Sequence, residues 1–213
     1  AGLILDMDGV LYRGGAAIPG APEAVAALQA AGIKIVALTN NARASAQEYS
    51  AKLAGLGIAL AAPNIITAGQ AAAQYLAAQS GAPKVFIAGS EALRRELQLS
   101  GAVESEEPEY VVAGIDLEMR LSTLAEAVGH LHRGVKLIAT NPDPVLPGGQ
   151  GMEPEAGAVV AFLQAASGQT AYVVGKPNRD IFMLAVAQPG LRGEVVAVVG
   201  DTAETDIAGA TVA

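Results

Sequence analysis

Short apolar runs alternate along the chain with longer stretches in which apolar side chains recur every three or four positions. Gly2-Leu3-Ile4-Leu5, Ile33-Lys34-Ile35-Val36-Ala37-Leu38, Tyr172-Val173-Val174 and Val195-Val196-Ala197-Val198-Val199-Gly200 read as strands, as do 85–88, 110–115 and 136–140. Pro22-Glu23 opens a helix whose Val25 and Leu28 share a face and whose end is marked by Gly32. Further helices are expected from about 45 to 56, over 91–99, 122–132 and 155–166, and from Asn178 onward. Strand and helix in alternation predict an α/β fold in which a parallel sheet carries helices on both faces. The series from 67 to 171 forms its own α/β pattern. It is expected to be an inserted cap domain, with 1–66 and 172–213 joining into a discontinuous core.

Composition narrows the class. The 213 residues are 52% hydrophobic, largely alanine and valine, yet no apolar run approaches the roughly 20 residues that cross a bilayer. Nothing at the start resembles a signal peptide, and a soluble, cytoplasmic protein is the expectation. With no cysteine there is neither a disulfide framework nor a thiolate metal site. A net charge of −8 argues against a broad nucleic-acid surface and suits a carboxylate-rich Mg²⁺ site. The acidic stretch Glu104-Ser105-Glu106-Glu107-Pro108-Glu109 reads as a solvated loop. His130 and His132 stand two apart on a predicted helix, hence on different faces, and do not make a shared metal site.

The polar residues that matter sit where strands end. Asp6-Met7-Asp8-Gly9 places two carboxylates two residues apart behind a buried strand, which costs stability unless a cation or substrate uses them. An ordinary Asp-Gly turn would also account for these residues taken alone. Gly9 permits a bend that lifts Asp8 clear of the sheet. One carboxylate ionised beside Mg²⁺ and the other protonated would suit phosphoryl transfer, with a nucleophile on one side of phosphorus and an acid on the other. The second predicted strand ends in Thr39-Asn40-Asn41, a hydroxyl and two amides able to donate to phosphate oxygens. Gly175-Lys176-Pro177 supplies a fixed point charge for phosphate. It is not a Walker A lysine, because no glycine precedes Gly175 at the required spacing and Pro177 stands where Ser or Thr must bind Mg²⁺. The last strand runs into Asp201-Thr202-Ala203-Glu204-Thr205-Asp206. Ligand sites in open α/β sheets lie beyond such strand ends.

Taken in order, these residues resemble the haloacid dehalogenase-like (HAD) phosphohydrolases. More narrowly, Asp-Gly-Val-Leu followed by Gly14-Gly15, Thr39-Asn40-Asn41, Ala139-Thr140-Asn141-Pro142-Asp143, Val174-Gly175-Lys176-Pro177 and Gly200-Asp201 with Thr205-Asp206 are similar to the 4-nitrophenylphosphatase, phosphoglycolate phosphatase and NagD-type subfamily. The resemblance covers nearly the whole chain. It implies a Rossmann-like core with an α/β cap, and an Mg²⁺-dependent phosphatase working through an aspartyl-phosphate on a small phosphorylated metabolite. Asp6 would be the nucleophile and Asp8 the acid that protonates the leaving group and later deprotonates water. Asp6, the backbone carbonyl of Asp8 and the side chain of Asp201 would hold Mg²⁺. Thr39, Asn40, Asn41 and Lys176 would bind phosphoryl oxygens, and Asp206 would orient Lys176 or metal-bound water. The subfamily places the Asn141-Pro142-Asp143-Pro144 turn near the substrate entrance, which makes Asp143 a candidate contact. Past Asp206 the family continues with a helix, a strand and a final helix, whereas here Ile207 to Ala213 remain. A phosphotransferase or phosphomutase would share every one of these residues. A receiver-type signalling domain would carry its phosphorylated Asp on a later strand and lack the insert, and a non-catalytic phosphate-binding protein would not need the full set. Association through the cap into a homo-oligomer is left open.

Overall fold

In a computed structural model, which describes residues 1–148, 151–192 and 194–213, the chain builds two parallel sheets. The first has the order Val196–Val199, Gly2–Asp6, Lys34–Thr39, Ile65–Thr67. Its register sets Asp6 beside Leu38 and Thr39 beside Thr67, so the polar ends of neighbouring strands finish level with one another. The second has the order Tyr172–Val173, Lys136–Ala139, Tyr110–Ala113, Lys84–Ala88, Val103–Glu104. Two antiparallel ribbons, Tyr12–Arg13 with Ala16–Ala17 and Val145–Gly148 with Gly151–Pro154, are not expected from the apolar pattern. Neither has the alternation of a half-buried strand, and the first is joined by the turn Gly14-Gly15.

Helix starts follow local chemistry. The helix Ala46–Gly55 begins at Ser45, whose hydroxyl accepts from the Glu48 N–H while the Glu48 carboxylate accepts from the Ser45 N–H. Thr67 and Gln70 make the same reciprocal cap for Ala68–Gln79, and Ser90 and Asn178 cap the helices Glu91–Leu99 and Arg179–Val186. Such caps are each worth about 1 kcal/mol and fix where the chain turns out of a strand.

Side chains alternate across the first sheet. Ile4, Val36 and Leu38 face one core, while Leu5, Ile35 and Ala37 face another that also holds Met7, Tyr12, Val25, Tyr49 and Leu53. The first of these cores does not stop at the sheet. It continues through Ala72 and Leu76 of the helix Ala68–Gln79 to Val85, Ile87, Val112 and Ile138 of the second sheet. Residues of the second sheet thus share buried apolar surface with the first. A third cluster around Val111, Leu131, Leu137 and Leu163 covers the far face of the second sheet.

The division at 172 assigns Tyr172-Val173 to the flanking segments, but this short strand pairs with Ile138 and Ala139 of the second sheet, and the Val174 N–H continues the ladder to the Ala139 carbonyl at 2.9 Å. Lys176 consequently reaches the site from the end of the insert's own sheet rather than from a strand of the first. The final strand, Val196–Val199, lies at an edge, with Ala197 and Val199 exposed. No helix of the described residues is long and apolar enough to cross a membrane.

Candidate active site

The first strand delivers Asp6 at its carboxyl end, and Met7 turns into the core with no exposed surface, which leaves Asp6 and Asp8 on the polar side. Gly9 follows at φ 86°, and a Cβ there would collide with the Asp201 carboxylate. Only glycine meets both demands. The turn closes through the Gly9 N–H donating to the Tyr12 carbonyl at 2.8 Å and the Leu11 N–H donating to the Met7 carbonyl at 2.9 Å. It brings the Tyr12 hydroxyl to 3.0 Å from Asp8 Oδ2, to which it donates.

Lys176 is the charge centre. Its Nζ lies 2.6 Å from Asp6 Oδ1 and 2.6 Å from Asp206 Oδ1, and all three side chains are buried. Its backbone is clamped as well. The Lys176 N–H donates to Asn40 Oδ1 at 2.7 Å, Asn40 Nδ2 donates to the Lys176 carbonyl at 3.2 Å, and a Cβ on Gly175 would run into the Thr140 carbonyl. The second oxygen of Asp206 accepts from the Thr202 N–H at 3.1 Å. Gly200 lets the chain pass against that carboxylate, because a side chain there would overlap it.

Asp6, Asp201 and Asp206 each place a carboxylate oxygen within 4.8 Å of the others. One ammonium faces Asp6 and Asp206, and among the described residues no basic group lies within 4.0 Å of Asp201. Three converging carboxylates with one buried cation leave net negative charge, and an all-oxygen donor set fits a hard divalent ion. Both oxygens of Asp206 are already engaged, by Lys176 and Thr202, while among the described residues Asp201 accepts only the Thr202 hydroxyl, at 3.1 Å. Asp6 and Asp201 are thus the carboxylates better placed to take a metal, and Asp206 is better placed to hold Lys176. The carboxyl of Asp8 is not in this cluster; it is turned to Tyr12.

Titration follows the same geometry. Burial raises the Asp6 carboxyl from 3.8 to about 6, with Lys176 opposing and Asp206 adding to the rise. Burial by itself pulls the Lys176 ammonium down, but Asp6 and Asp206 more than reverse that and hold it above its ordinary value. The two shifts favour opposite charge states across one contact. They are reconciled because a single ammonium serves two buried carboxylates, so one negative charge stays uncompensated. Burial also raises Asp8, against the lowering effect of the Tyr12 hydroxyl and of Lys52, Arg43 and Lys176.

These groups line a cavity of about 280 Å³ together with Thr39, Asn41 and Asp143. The site residues expected from the sequence, Asp6, Asp8, Thr39, Asn40, Asn41, Lys176, Asp201 and Asp206, all border it. Asp143 arrives from the insert, where its Oδ2 accepts from Asn40 Nδ2 at 2.8 Å. Asn141 Nδ2 reaches back to the Asn40 carbonyl at 2.8 Å, and Arg43 pairs with Glu153 at 3.2 Å. Sequence reasoning misses Tyr12, Arg43, Glu153 and the buried Glu155. Tyr12 carries a usable signal, a bulky phenol four positions after Asp8 across a glycine turn. Arg43 and Glu153 are separated by 110 positions and carry none.

The comparisons agree with this geometry. The family model described as haloacid dehalogenase-like hydrolase matches residues 3–103, and one described as HAD-hydrolase-like matches 173–213. An acid sugar phosphatase of Staphylococcus aureus is 32% identical over 96% of this chain and 80% of its own length. The D-glycerol 3-phosphate phosphatase of Mycobacterium tuberculosis is 35% identical over 99% of this chain, which spans 60% of that relative. Among solved structures, the p-nitrophenyl phosphatase from Archaeoglobus fulgidus superposes with a TM-score of 0.91 at 33% identity, covering 99% of this chain and 82% of that one. A glycerol phosphate phosphatase from Mycobacterium tuberculosis in complex with magnesium gives 0.91 at 35% identity, covering 99% and 64%. By the match to its models, by these relatives and by shared architecture, the chain belongs to the haloacid dehalogenase-like hydrolases.

Proposed function

We propose that the chain is an Mg²⁺-dependent phosphatase that hydrolyses small phosphomonoesters through an aspartyl-phosphate on Asp6, with a core of 1–66 and the segment after Val173, and a cap made by the residues between. One observation carries this reading: Asp6 shares a buried ammonium with Asp206, and the cavity they line also holds a second carboxyl, Asp8, which is turned to Tyr12 outside that charge cluster. That division of labour is what a double displacement at phosphorus needs. The relatives that are named phosphatases, one of them solved with magnesium, support it.

In this reading an Asp6 oxygen attacks phosphorus as the bond to the leaving oxygen breaks, and Asp8 gives that oxygen its proton. The alcohol departs. Asp8, now ionised, takes a proton from water, whose oxygen attacks phosphorus and returns Asp6 as a carboxylate with inorganic phosphate as product. Lys176, the Thr39 hydroxyl and the Asn41 side-chain amide offset charge on the three remaining oxygens; the Asn40 side chain, expected from the sequence to do the same, instead spends its NH₂ on Asp143 and the Lys176 carbonyl and so positions Lys176. Asp6 and Asp201, with the Asp8 carbonyl, would hold Mg²⁺, which supplies positive charge against the phosphoryl oxygens when bound. Monoester hydrolysis demands up to about 10²¹-fold acceleration, more than any one group contributes, so positioning and charge must act jointly.

The raised Asp6 pKa sets a pH-dependent stability. A native carboxyl that holds its proton up to about 6 against 3.8 when unfolded contributes stability that is present below 3.8 and lost as pH rises through about 6. A cation on ionised Asp6 offsets that loss. Thermal melts should therefore show a larger Mg²⁺-induced rise in Tm at about pH 7.5 than at about pH 5. Equal rises at both values would contradict Asp6 as a ligand.

Asp6→Asn should lower turnover by roughly 10³-fold or more, because an amide is not a competent nucleophile here, while circular dichroism shows the fold retained. Turnover at the wild-type level would reject the assignment.

Asp8→Ala should cost some 10²–10⁴-fold on alkyl phosphates and less in the first-turnover burst with 4-nitrophenyl phosphate, whose leaving group hardly needs a proton. Equal losses in that burst would show that Asp8 only shapes the site.

A further inference from the structure

The ribbon of Tyr12–Arg13 with Ala16–Ala17 folds directly behind the acid pair, and its first residue is a tyrosine with 1% of its surface exposed. Its backbone is tied to the turn that carries Asp8, since the Tyr12 N–H donates to the Met7 carbonyl at 3.2 Å and the Tyr12 carbonyl accepts from the Gly9 N–H at 2.8 Å. The ring belongs to the buried cluster that holds Met7, Val25, Tyr49 and Leu53. From the helix Ala46–Gly55 the Lys52 Nζ stands over the ring, 3.6 Å from its centre. A phenol packed this closely has no room to turn, so the place of its hydroxyl is fixed.

That hydroxyl has one proton to give. Among the described residues its one hydrogen-bond partner is Asp8 Oδ2, at 3.0 Å, and Asp8 Oδ1 has none. The Asp8 carboxyl borders the catalytic cavity. An acid that protonates a leaving oxygen must present a defined oxygen in a defined direction, and the terminal torsion of an aspartate is too broad to supply either by itself. Donation from Tyr12 makes Oδ2 an acceptor. A proton on Asp8 then belongs on Oδ1.

Resting on the phosphatase reading, we propose that Tyr12 is a positioning residue for the proton transfer: its hydroxyl holds Asp8 by Oδ2 and leaves Oδ1 to carry the proton to the leaving group, while Lys52, over the ring, strengthens that hold. As the Asp6 oxygen bonds to phosphorus and the bond from phosphorus to the ester oxygen breaks, the proton passes from Oδ1 to the ester oxygen. The alcohol departs, and Asp8 remains as a carboxylate still gripped by Tyr12. A cation above the ring draws electron density from the phenol and makes its O–H a better donor. Neither Tyr12 nor Lys52 touches the reacting atoms. A tyrosine that served only to fill the core would lose its hydroxyl without any effect that depends on the leaving group.

The test measures alcohol release in the first turnover, with enzyme in excess and Mg²⁺ present, for propyl phosphate and 4-nitrophenyl phosphate. Tyr12→Phe keeps the ring. It should slow propyl phosphate by about 10-fold to 100-fold, the cost of a slightly misplaced catalytic group, and 4-nitrophenyl phosphate by less, with substrate affinity little changed. In an Asp8→Ala background the same substitution should cost less than about 2-fold, because the hydroxyl acts only through the carboxyl it holds. Lys52→Met, at an exposed position, should shift the two substrates in the same sense by about 2-fold to 5-fold and serves as the test on its own if Tyr12→Phe does not fold. Equal slowing of both substrates by Tyr12→Phe, a loss that persists undiminished in the Asp8→Ala background, or, where Lys52→Met stands alone, no selective loss on propyl phosphate, overturns the inference and leaves the phosphatase intact. A wild type inactive on both substrates, or an Asp8→Ala variant that slows both equally, would overturn the reading beneath it.

Discussion

Two buried carboxylates share one buried ammonium, and the arrangement of the whole chain serves that contact. Each ion taken from water costs several kcal/mol, and removing one partner of such a pair typically costs about 3–5 kcal/mol because the others are left uncompensated. The Asp6, Lys176 and Asp206 cluster comes from three segments, at distances of 2.6 Å from the ammonium to each acid. It tolerates little displacement of any of them. Its residual negative charge is what a divalent cation neutralises, so the same feature that strains the fold equips it for phosphate chemistry.

The apolar core explains how three segments are held in such register. Asp6 and Thr39 end adjacent strands of one sheet, but Lys176 follows a strand of the other, and the two sheets are joined through Ile4, Val36 and Leu38 on one side and Val85, Ile87 and Ile138 on the other. Each fully buried side chain of this size contributes about 1.5–3 kcal/mol, so the shared core outweighs the cost of the ion cluster. Polar ties add direction. Asn40 binds both the Lys176 backbone and Asp143, and Arg43 binds Glu153, which seats the hairpin of the insert over the cavity. The hairpin over the cavity and the lysine that lines it are thereby tied to the same short loop, 39–43.

How much of this is legible in the amino-acid sequence depends on the range of the interactions. Strand ends bearing Asp6, Thr39 and Asp201 are readable because an apolar run that stops at an acid or hydroxyl is a local signal. Helix starts at Ser45, Thr67 and Asn178 are readable for the same reason, since each cap lies within three residues of its partner. The sheet membership of Tyr172-Val173 is not. Two strand residues carry no information about which neighbour they join, and the ladder to Ile138 and Ala139 decides it. Nor can spacing reveal that Arg43 meets Glu153, because this contact exists only once residues 110 positions apart are brought together. The role of Asp206 is readable in outline; that both its oxygens are occupied is geometry alone.

The central claim is that phosphorus is attacked twice, first by Asp6 and then by water. Each in-line attack inverts configuration, so two in succession restore it. The most direct measurement is the stereochemical course of transfer with a phosphomonoester made chiral at phosphorus by oxygen isotopes and sulfur, hydrolysed in isotopically labelled water. The account predicts retention of configuration in the thiophosphate product. Inversion would mean that water attacks the substrate directly, and Asp6 would then be no more than part of the charge cluster.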